Sequence, residues 1–262
     1  MRDIIDLDRF PIDQPGTSGY AALVARCKAE LADQGMFNLE GFMHREVTDR
    51  LAGTLMPRYP SESFRHAREH NIYFRKSIPD LAEGHPALRR VETVNNTLCS
   101  DQLEGTALER LYEYQPFITF LAEVMDKPAL YPMADKLARF NVMAYFEGEA
   151  LNWHFDRSEF TLTLLLQKPK SGGAFEYRSN LRSPENPNYD GVARLLEGQD
   201  PEKQVMSVEP GTLNVFKGVN TAHRVTPVEG DRARLIAVLT YYETPGRRFT
   251  DEENLGFYGR TS

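Results

Sequence analysis

Beyond residue 136 the hydrophobic period of this chain changes, and that change limits its fold more than any other feature. Arg139–Tyr145 and Glu159–Gln167 (EFTLTLLLQ) alternate apolar with polar residues, the period of a strand with one buried face. Further strand-like runs follow at Ala174–Arg178, Gln204–Val208, Thr212–Phe216, Ala222–Val228 and Arg234–Tyr242, with Gly172-Gly173 and Pro210-Gly211 as turn signals between them. Short strands separated by turns predict a sandwich or barrel. Ser183–Lys203 is polar and rich in Pro, Asn and Glu, and reads as an insertion between strands that can carry function.

The first half has a helical texture. Tyr20–Gln34 (YAALVARCKAELADQ) repeats apolar residues at helical spacing, with Thr17 or Ser18 to cap it and Gly35 to stop it. Met36–Phe42 predicts a short strand and Glu46–Met56 a second helix. Thr106–Asp126 predicts a third helix, kinked or broken at Pro116. His66 and His70, in the charged stretch SFRHAREHN, stand four apart and read as the solvated face of a helix. HNIYFRKS fits either a strand or a loop. The expected organisation is one domain: a mainly helical region over 1–135, a β core over 136–245 and a polar tail over 246–262.

Composition narrows the function. With 262 residues, 41% of them hydrophobic, the chain can bury one substantial core. A net charge of −7 gives it no electrostatic reason to seek nucleic acid or an anionic membrane. The two cysteines, Cys27 and Cys99, have no metal-like spacing and read as free thiols of a reducing compartment. The N-terminal stretch has no apolar signal region, and no run reaches membrane-spanning length. A soluble, cytoplasmic protein is expected, without nucleic-acid or membrane partners, its oligomeric state open and a homodimer possible.

The chemistry concentrates in three places. In an extended segment, residues two apart point the same way, so His154 and Asp156 of Asn152-Trp153-His154-Phe155-Asp156 present an imidazole and a carboxylate together. His223 opens an apolar strand, and Arg234 lies on the strand after it. Two imidazoles and one carboxylate form a facial triad suited to iron(II), with coordination positions left open. An arginine nearby suits the distal carboxylate of a keto-acid cosubstrate.

From Arg139 to Tyr242 the chain resembles the 2-oxoglutarate/Fe(II) dioxygenases of the prolyl-hydroxylase-like superfamily. The resemblance rests on AYFEGEALNWHFD, the GGAFEY hairpin and VEPGTLNVFKGVNTAHRVTPVEGDRARLIAVLTYY. It implies an α+β fold with a double-stranded β-helix core (jelly-roll, cupin-like) and an N-terminal helical region. It implies His154, Asp156 and His223 as iron ligands, with O2 and 2-oxoglutarate as co-substrates and ascorbate as the reductant in vitro. Arg234 is preferred over Arg232 for the 2-oxoglutarate carboxylate. Tyr145 matches a tyrosine that some members turn toward 2-oxoglutarate, and fits equally as a packed strand residue.

Chain length, the helical first half and NWHFDRSEF are similar to the free-amino-acid radical halogenases and hydroxylases, whose best-known type acts on lysine. The halogenases carry glycine or alanine where this chain has Asp156, so the likeness implies hydroxylation of an unactivated C–H bond in a small substrate, such as lysine or another basic amino acid. Arg75 is the candidate clamp for a substrate carboxylate, and Asn152, Arg157, Glu159, Asn220 and Thr240 are further substrate candidates. Trp153 is expected to pack outside the barrel. Desaturation, epimerisation or ring formation would use the same ligands, a peptide or protein substrate would use the same fold, and a catalytically silent cupin-type binding module is the alternative from another class.

Overall fold

The computed structural model describes residues 1–79 and 81–261. Seven α-helices occur among them: α1 (Ser18–Gln34), α2 (Arg45–Leu55), α3 (Tyr59–Glu62), α4 (Ala107–Tyr112), α5 (Gln115–Val124), α6 (Tyr189–Leu196) and α7 (Asp251–Tyr258). The strands are β1 (Met36–Leu39), β2 (Phe64–His70), β3 (Val91–Cys99), β4 (Tyr131–Pro132), β5 (Phe140–Tyr145), β6 (Leu151–His154), β7 (Thr161–Gln167), β8 (Ser171–Gly172), β9 (Phe175–Arg178), β10 (Gln204–Met206), β11 (Leu213–Phe216), β12 (Ala222–Val225), β13 (Val228–Glu229), β14 (Arg234–Leu239) and β15 (Tyr241–Tyr242). A seven-stranded antiparallel sheet runs β1-β11-β7-β14-β5-β3-β2, and a four-stranded sheet runs β10-β9-β12-β6. This is the expected mixture of helix and sheet with a double-stranded β-helix core.

The large sheet has two chemically different faces. Cross-strand partners share a face, so the ladders Val142↔Ala237, Ala237↔Leu164, Leu164↔Leu213 and Leu213↔Leu39 mark one apolar stripe. That face packs on α1, α2 and α5 in the main core, against Leu23, Cys27, Leu31, Val47, Leu51, Phe117 and Leu121. Each such buried side chain contributes roughly 1.5–3 kcal/mol relative to exposure. The other face reads Asn38↔Asn214↔Thr163↔Val238↔Asn141, then Ile236↔Met143 and Arg234↔Tyr145. A face built of amides, hydroxyls and an arginine is not a core. It lines the space between the two sheets.

Local chemistry sets the element ends. The Thr17 side chain accepts from the Tyr20 N–H and Gly35 takes the left-handed conformation, so α1 starts and stops where expected. Cys27 is fully buried within it. The helix expected over Thr106–Asp126 is two helices, α4 and α5, because Pro116 sits in the first turn of α5 and the chain turns before it. The larger difference lies at 64–70. The expected helix face is strand β2, paired with β3 from Phe64↔Thr97 to His70↔Val91. Its exposure alternates, half-buried at Phe64, His66 and Arg68 and open at Arg65, Ala67 and Glu69. The region expected to be mainly helical thus also supplies β1, β2 and β3 to the large sheet. The 183–203 insertion contains α6, and the tail contains α7, which starts at a Thr250–Glu253 capping box. Among the described residues no helix is long and apolar enough to cross a membrane.

Candidate metal centre

His154 ends β6 and His223 lies directly opposite it on β12. This register brings the two imidazoles together, with ring centroids 4.0 Å apart. Beyond β6 the Asp156 N–H donates to the Gly218 carbonyl (3.0 Å), which turns the carboxylate toward both rings. His154 Nε2 lies 3.4 Å from Asp156 Oδ1, and His223 Nε2 lies 3.4 Å from Asp156 Oδ2. All three ligand atoms fall within 4.8 Å of one another. Metal–ligand bonds of about 2.0–2.2 Å at right angles place donors about 3 Å apart, so the three side chains fit a metal ion with little movement.

The imidazoles are also oriented for it. His154 Nδ1 contacts the Asn152 carbonyl at 2.8 Å, and His223 Nδ1 contacts the Thr221 carbonyl at 3.0 Å. A carbonyl only accepts, so each Nδ1 carries the proton and each Nε2 offers its lone pair. Both histidines are buried. Burial alone would push the Asp156 carboxyl up, but His223, His154 and the Thr161 hydroxyl together outweigh it and hold the group well below the usual carboxylate range.

Two residues that sequence reasoning missed seat this carboxylate. Thr161 Oγ1 donates a short hydrogen bond to Asp156 Oδ2. A Cβ on Gly218 would stand 2.4 Å from Asp156 Oδ2 and 2.5 Å from Thr161 Oγ1, so the position excludes any side chain. Thr161→Val should weaken metal affinity about 10–100-fold, the usual cost of losing an outer-shell partner, with thermal stability nearly unchanged. Gly218→Ala should weaken it at least as much, because the carboxylate itself must shift. Titration of each apo variant with zinc or cobalt(II) measures both. Wild-type affinity in both would show that the seat does not matter.

Three histidines are held neutral here. Burial pulls His66, His70 and His223 each down to about 4, with lesser contributions from neighbouring positive charge. The unfolded chain binds protons on these groups below its ordinary value near 6.5 while the folded chain does not. Stability is therefore full above that pH and declines as pH falls through the window from 6.5 toward 4. The melting temperature of the metal-free protein should drop between pH 6.5 and 5, before ordinary carboxylates titrate. A flat profile there would contradict this burial.

Arg234 and Arg232 separate clearly. Arg234 opens β14, is 3% exposed, and its Nε has no hydrogen-bond partner among the described residues. Burial weakens its hold on the proton, down to about 10, with Tyr145 opposing, so it stays charged at neutral pH. Tyr145 is its cross-strand partner and is also fully buried. Arg232 lies in the exposed bend before the strand. An unpaired buried guanidinium on the site-facing side of the sheet fits an anionic cosubstrate.

A family model described as Halogenase D matches residues 21–253. The chain belongs to the Halogenase D family. No curated protein matches it in sequence. Its fold is shared with solved structures of 2-oxoglutarate/Fe(II) oxygenases. One is an oxidoreductase of the 2OG-Fe(II) oxygenase family from Burkholderia pseudomallei, with 14% identity, TM-score 0.52, and coverage of 86% of this chain and 92% of that one. A Pseudomonas putida prolyl-4-hydroxylase aligns with 16% identity and TM-score 0.51 over 86% and 100%. HygX from Streptomyces hygroscopicus, with nickel and 2-oxoglutarate bound, aligns with 12% identity and TM-score 0.57 over 86% and 89%. At such identities the likeness establishes the fold. For a Halogenase D family member, the seat made by Thr161 and Gly218 shows that position 156 is built around a carboxylate.

The remaining candidates scatter. Asn152 works through its backbone: its N–H donates to Thr93 Oγ1 (3.0 Å) and its carbonyl holds His154, while its side chain donates to the Glu92 carbonyl. Arg157 is largely exposed and pairs with Glu253 (3.6 Å). Glu159 pairs with Lys127 (2.6 Å), not with Arg157. Asn220 lies in the turn before β12, where its N–H donates to the Lys217 carbonyl (3.1 Å). The Thr240 carbonyl accepts from the Tyr112 hydroxyl (2.6 Å). Arg75 is exposed on the loop after β2, its backbone tied to Asn71.

That loop and the 183–203 insertion meet over Phe155, the residue between the two clustered ligands. Tyr73 stacks on Phe155 (5.5 Å), Arg182 lies 3.9 Å above the ring, and the Tyr73 hydroxyl donates to the Pro187 carbonyl (3.1 Å). Ile72, Ala87, Trp153, Leu181, Val192 and Leu195 complete this second apolar cluster. Trp153 thus packs away from the space between the sheets, as expected.

Proposed function

We propose that this chain is an iron(II)- and 2-oxoglutarate-dependent oxygenase that hydroxylates an unactivated C–H bond of a small substrate, a free amino acid. The observation that carries the reading is the convergence of His154 Nε2, His223 Nε2 and the Asp156 carboxylate on one point, with a buried Arg234, unpaired among the described residues, on the sheet facing them. The three side chains would hold the metal, and Arg234 beside Tyr145 would hold the distal carboxylate of the keto acid. Ferrous iron with 2-oxoglutarate supplies, when bound, the oxidant for an unactivated C–H bond. The protein's part is geometric: carbonyls fix both imidazoles, and Thr161 and Gly218 fix the carboxylate.

Family membership favours one second reading, chlorination. Asp156 argues against it, because the halogenases that the chain resembles carry glycine or alanine there. Succinate formation with iron, ascorbate and 2-oxoglutarate across an amino-acid panel, with chloride present, tests both. A product gaining one oxygen atom from O2 supports hydroxylation. A chlorinated product, a desaturated one, or no succinate under any condition would each displace it.

A further inference from the structure

Resting on the oxygenase reading, we propose that Arg68 anchors an anionic group of the substrate, a carboxylate, and that the site selects for that anion and not for a cationic end. Arg68 lies on the site-facing side of β2, opposite Thr93 and two positions before His70. The outward-facing Arg65 on the same strand pairs with Glu149 (3.7 Å). Arg68 pairs with no acid among the described residues, and its Nε is buried without a hydrogen-bond partner. Such a cation, half-buried and left without an acid partner among the described residues, marks a place prepared for an anion.

The surroundings aim it at the metal centre. Its guanidinium lies 4.7 Å from the Phe74 ring and 5.7 Å from the Phe257 ring. Phe74 stands edge-on to His154, 5.8 Å between ring centroids, and stacks on His70 at 4.4 Å. Phe74 has φ +54°, a left-handed conformation that an aromatic residue adopts only under constraint. The constraint is Asn71: its Oδ1 accepts from the N–H groups of Tyr73 (3.2 Å) and Arg75 (3.1 Å). The loop is thus built to hold one ring between the free arginine and a candidate ligand. A small molecule whose carboxylate meets Arg68 would reach past this ring toward the metal face.

A second cation without an acid partner among the described residues lies outside the space between the sheets. Arg182, half-buried above Phe155, gives its Nε to the Val219 carbonyl (2.7 Å). The acids nearby are committed. Glu253 pairs with Arg157, Glu149 serves Arg65 and Asn96, and Glu159 serves Lys127. None of these three acids is free to receive a terminal ammonium, which favours an acidic or neutral amino acid over the expected basic one.

The test uses zinc-loaded protein, which binds without turnover, saturated with 2-oxoglutarate. Calorimetry measures the binding of the common amino acids, of short alkanoates such as 4-methylpentanoate, and of the amines 3-methylbutylamine and cadaverine. At least one carboxylate should bind and both amines should fail. Arg68→Met should weaken the best carboxylate about 10–100-fold, the range for a lost charge-assisted hydrogen bond. Arg68→Lys should recover part of that loss, and Arg65→Met should bind the carboxylate as wild type does. No carboxylate binding to wild type, an unchanged Arg68→Met, or an amine binding as tightly as the acid overturns the proposal. Succinate formation by iron-loaded wild type is measured separately: its absence would remove the oxygenase reading and leave the zinc result to decide Arg68.

Discussion

Replacing Asp156 with glycine should cost the protein both its metal and its hydroxylation. Loss of an outer-shell partner typically reduces metal affinity or activity about 10–100-fold. Loss of the only anionic ligand should exceed that, because two neutral imidazoles remain to offset a dication. The variant also removes the acceptor for the Thr161 hydroxyl and leaves empty the space that Gly218 keeps clear. Nothing else need move, since His154 and His223 are fixed by their own carbonyl contacts. Apo variant titrated with iron(II) under anaerobic conditions, then assayed with and without chloride, reads both consequences. Chlorinated product would show that the two histidines still hold iron and would contradict the expected loss of metal. Undiminished hydroxylation would contradict the ligand assignment.

The triad was legible because its logic is local. A strand period of two puts His154 and Asp156 side by side, and an imidazole opening the next paired strand needs only the antiparallel register to meet them. The sandwich was legible for the same reason: alternation over Arg139–Tyr145 and Glu159–Gln167 has one physical meaning when one face must be buried. Strand β2 was not legible. Its sequence, FRHAREH, carries charges on both faces, because one faces solvent and the other faces the space between the sheets. Without an apolar face the two-residue period is silent, and helical spacing of His66 and His70 misleads. Arg68 was lost with it. Gly218 could not be found at all, since its role is the absence of a Cβ beside a residue 62 positions earlier. Thr161 lies near the triad in sequence, but only the fold shows its hydroxyl reaching back to Asp156.

Arg234→Met should uncouple stability from cosubstrate binding in opposite directions. In wild type Arg234 is 3% exposed, and its Nε has no protein partner among the described residues. A buried charge without a counter-ion destabilises the fold, and an apolar residue of similar length relieves that cost. The metal-free variant should therefore melt higher than wild type, by a few degrees for each kcal/mol relieved; a domain this size shifts by about 2–4 °C per kcal/mol. Binding moves the other way. Removing one partner of a buried charge pair costs about 2–5 kcal/mol, so the apparent affinity for 2-oxoglutarate should fall by roughly 30-fold or more. The thermal shift that saturating 2-oxoglutarate gives wild type should vanish in the variant. Arg232→Met serves as the internal comparison, since that side chain lies in the exposed bend before β14 and its loss should change neither reading. If the Arg232 variant loses the 2-oxoglutarate response while Arg234→Met keeps it, the anion is held at the edge of the barrel, and the buried arginine needs another explanation.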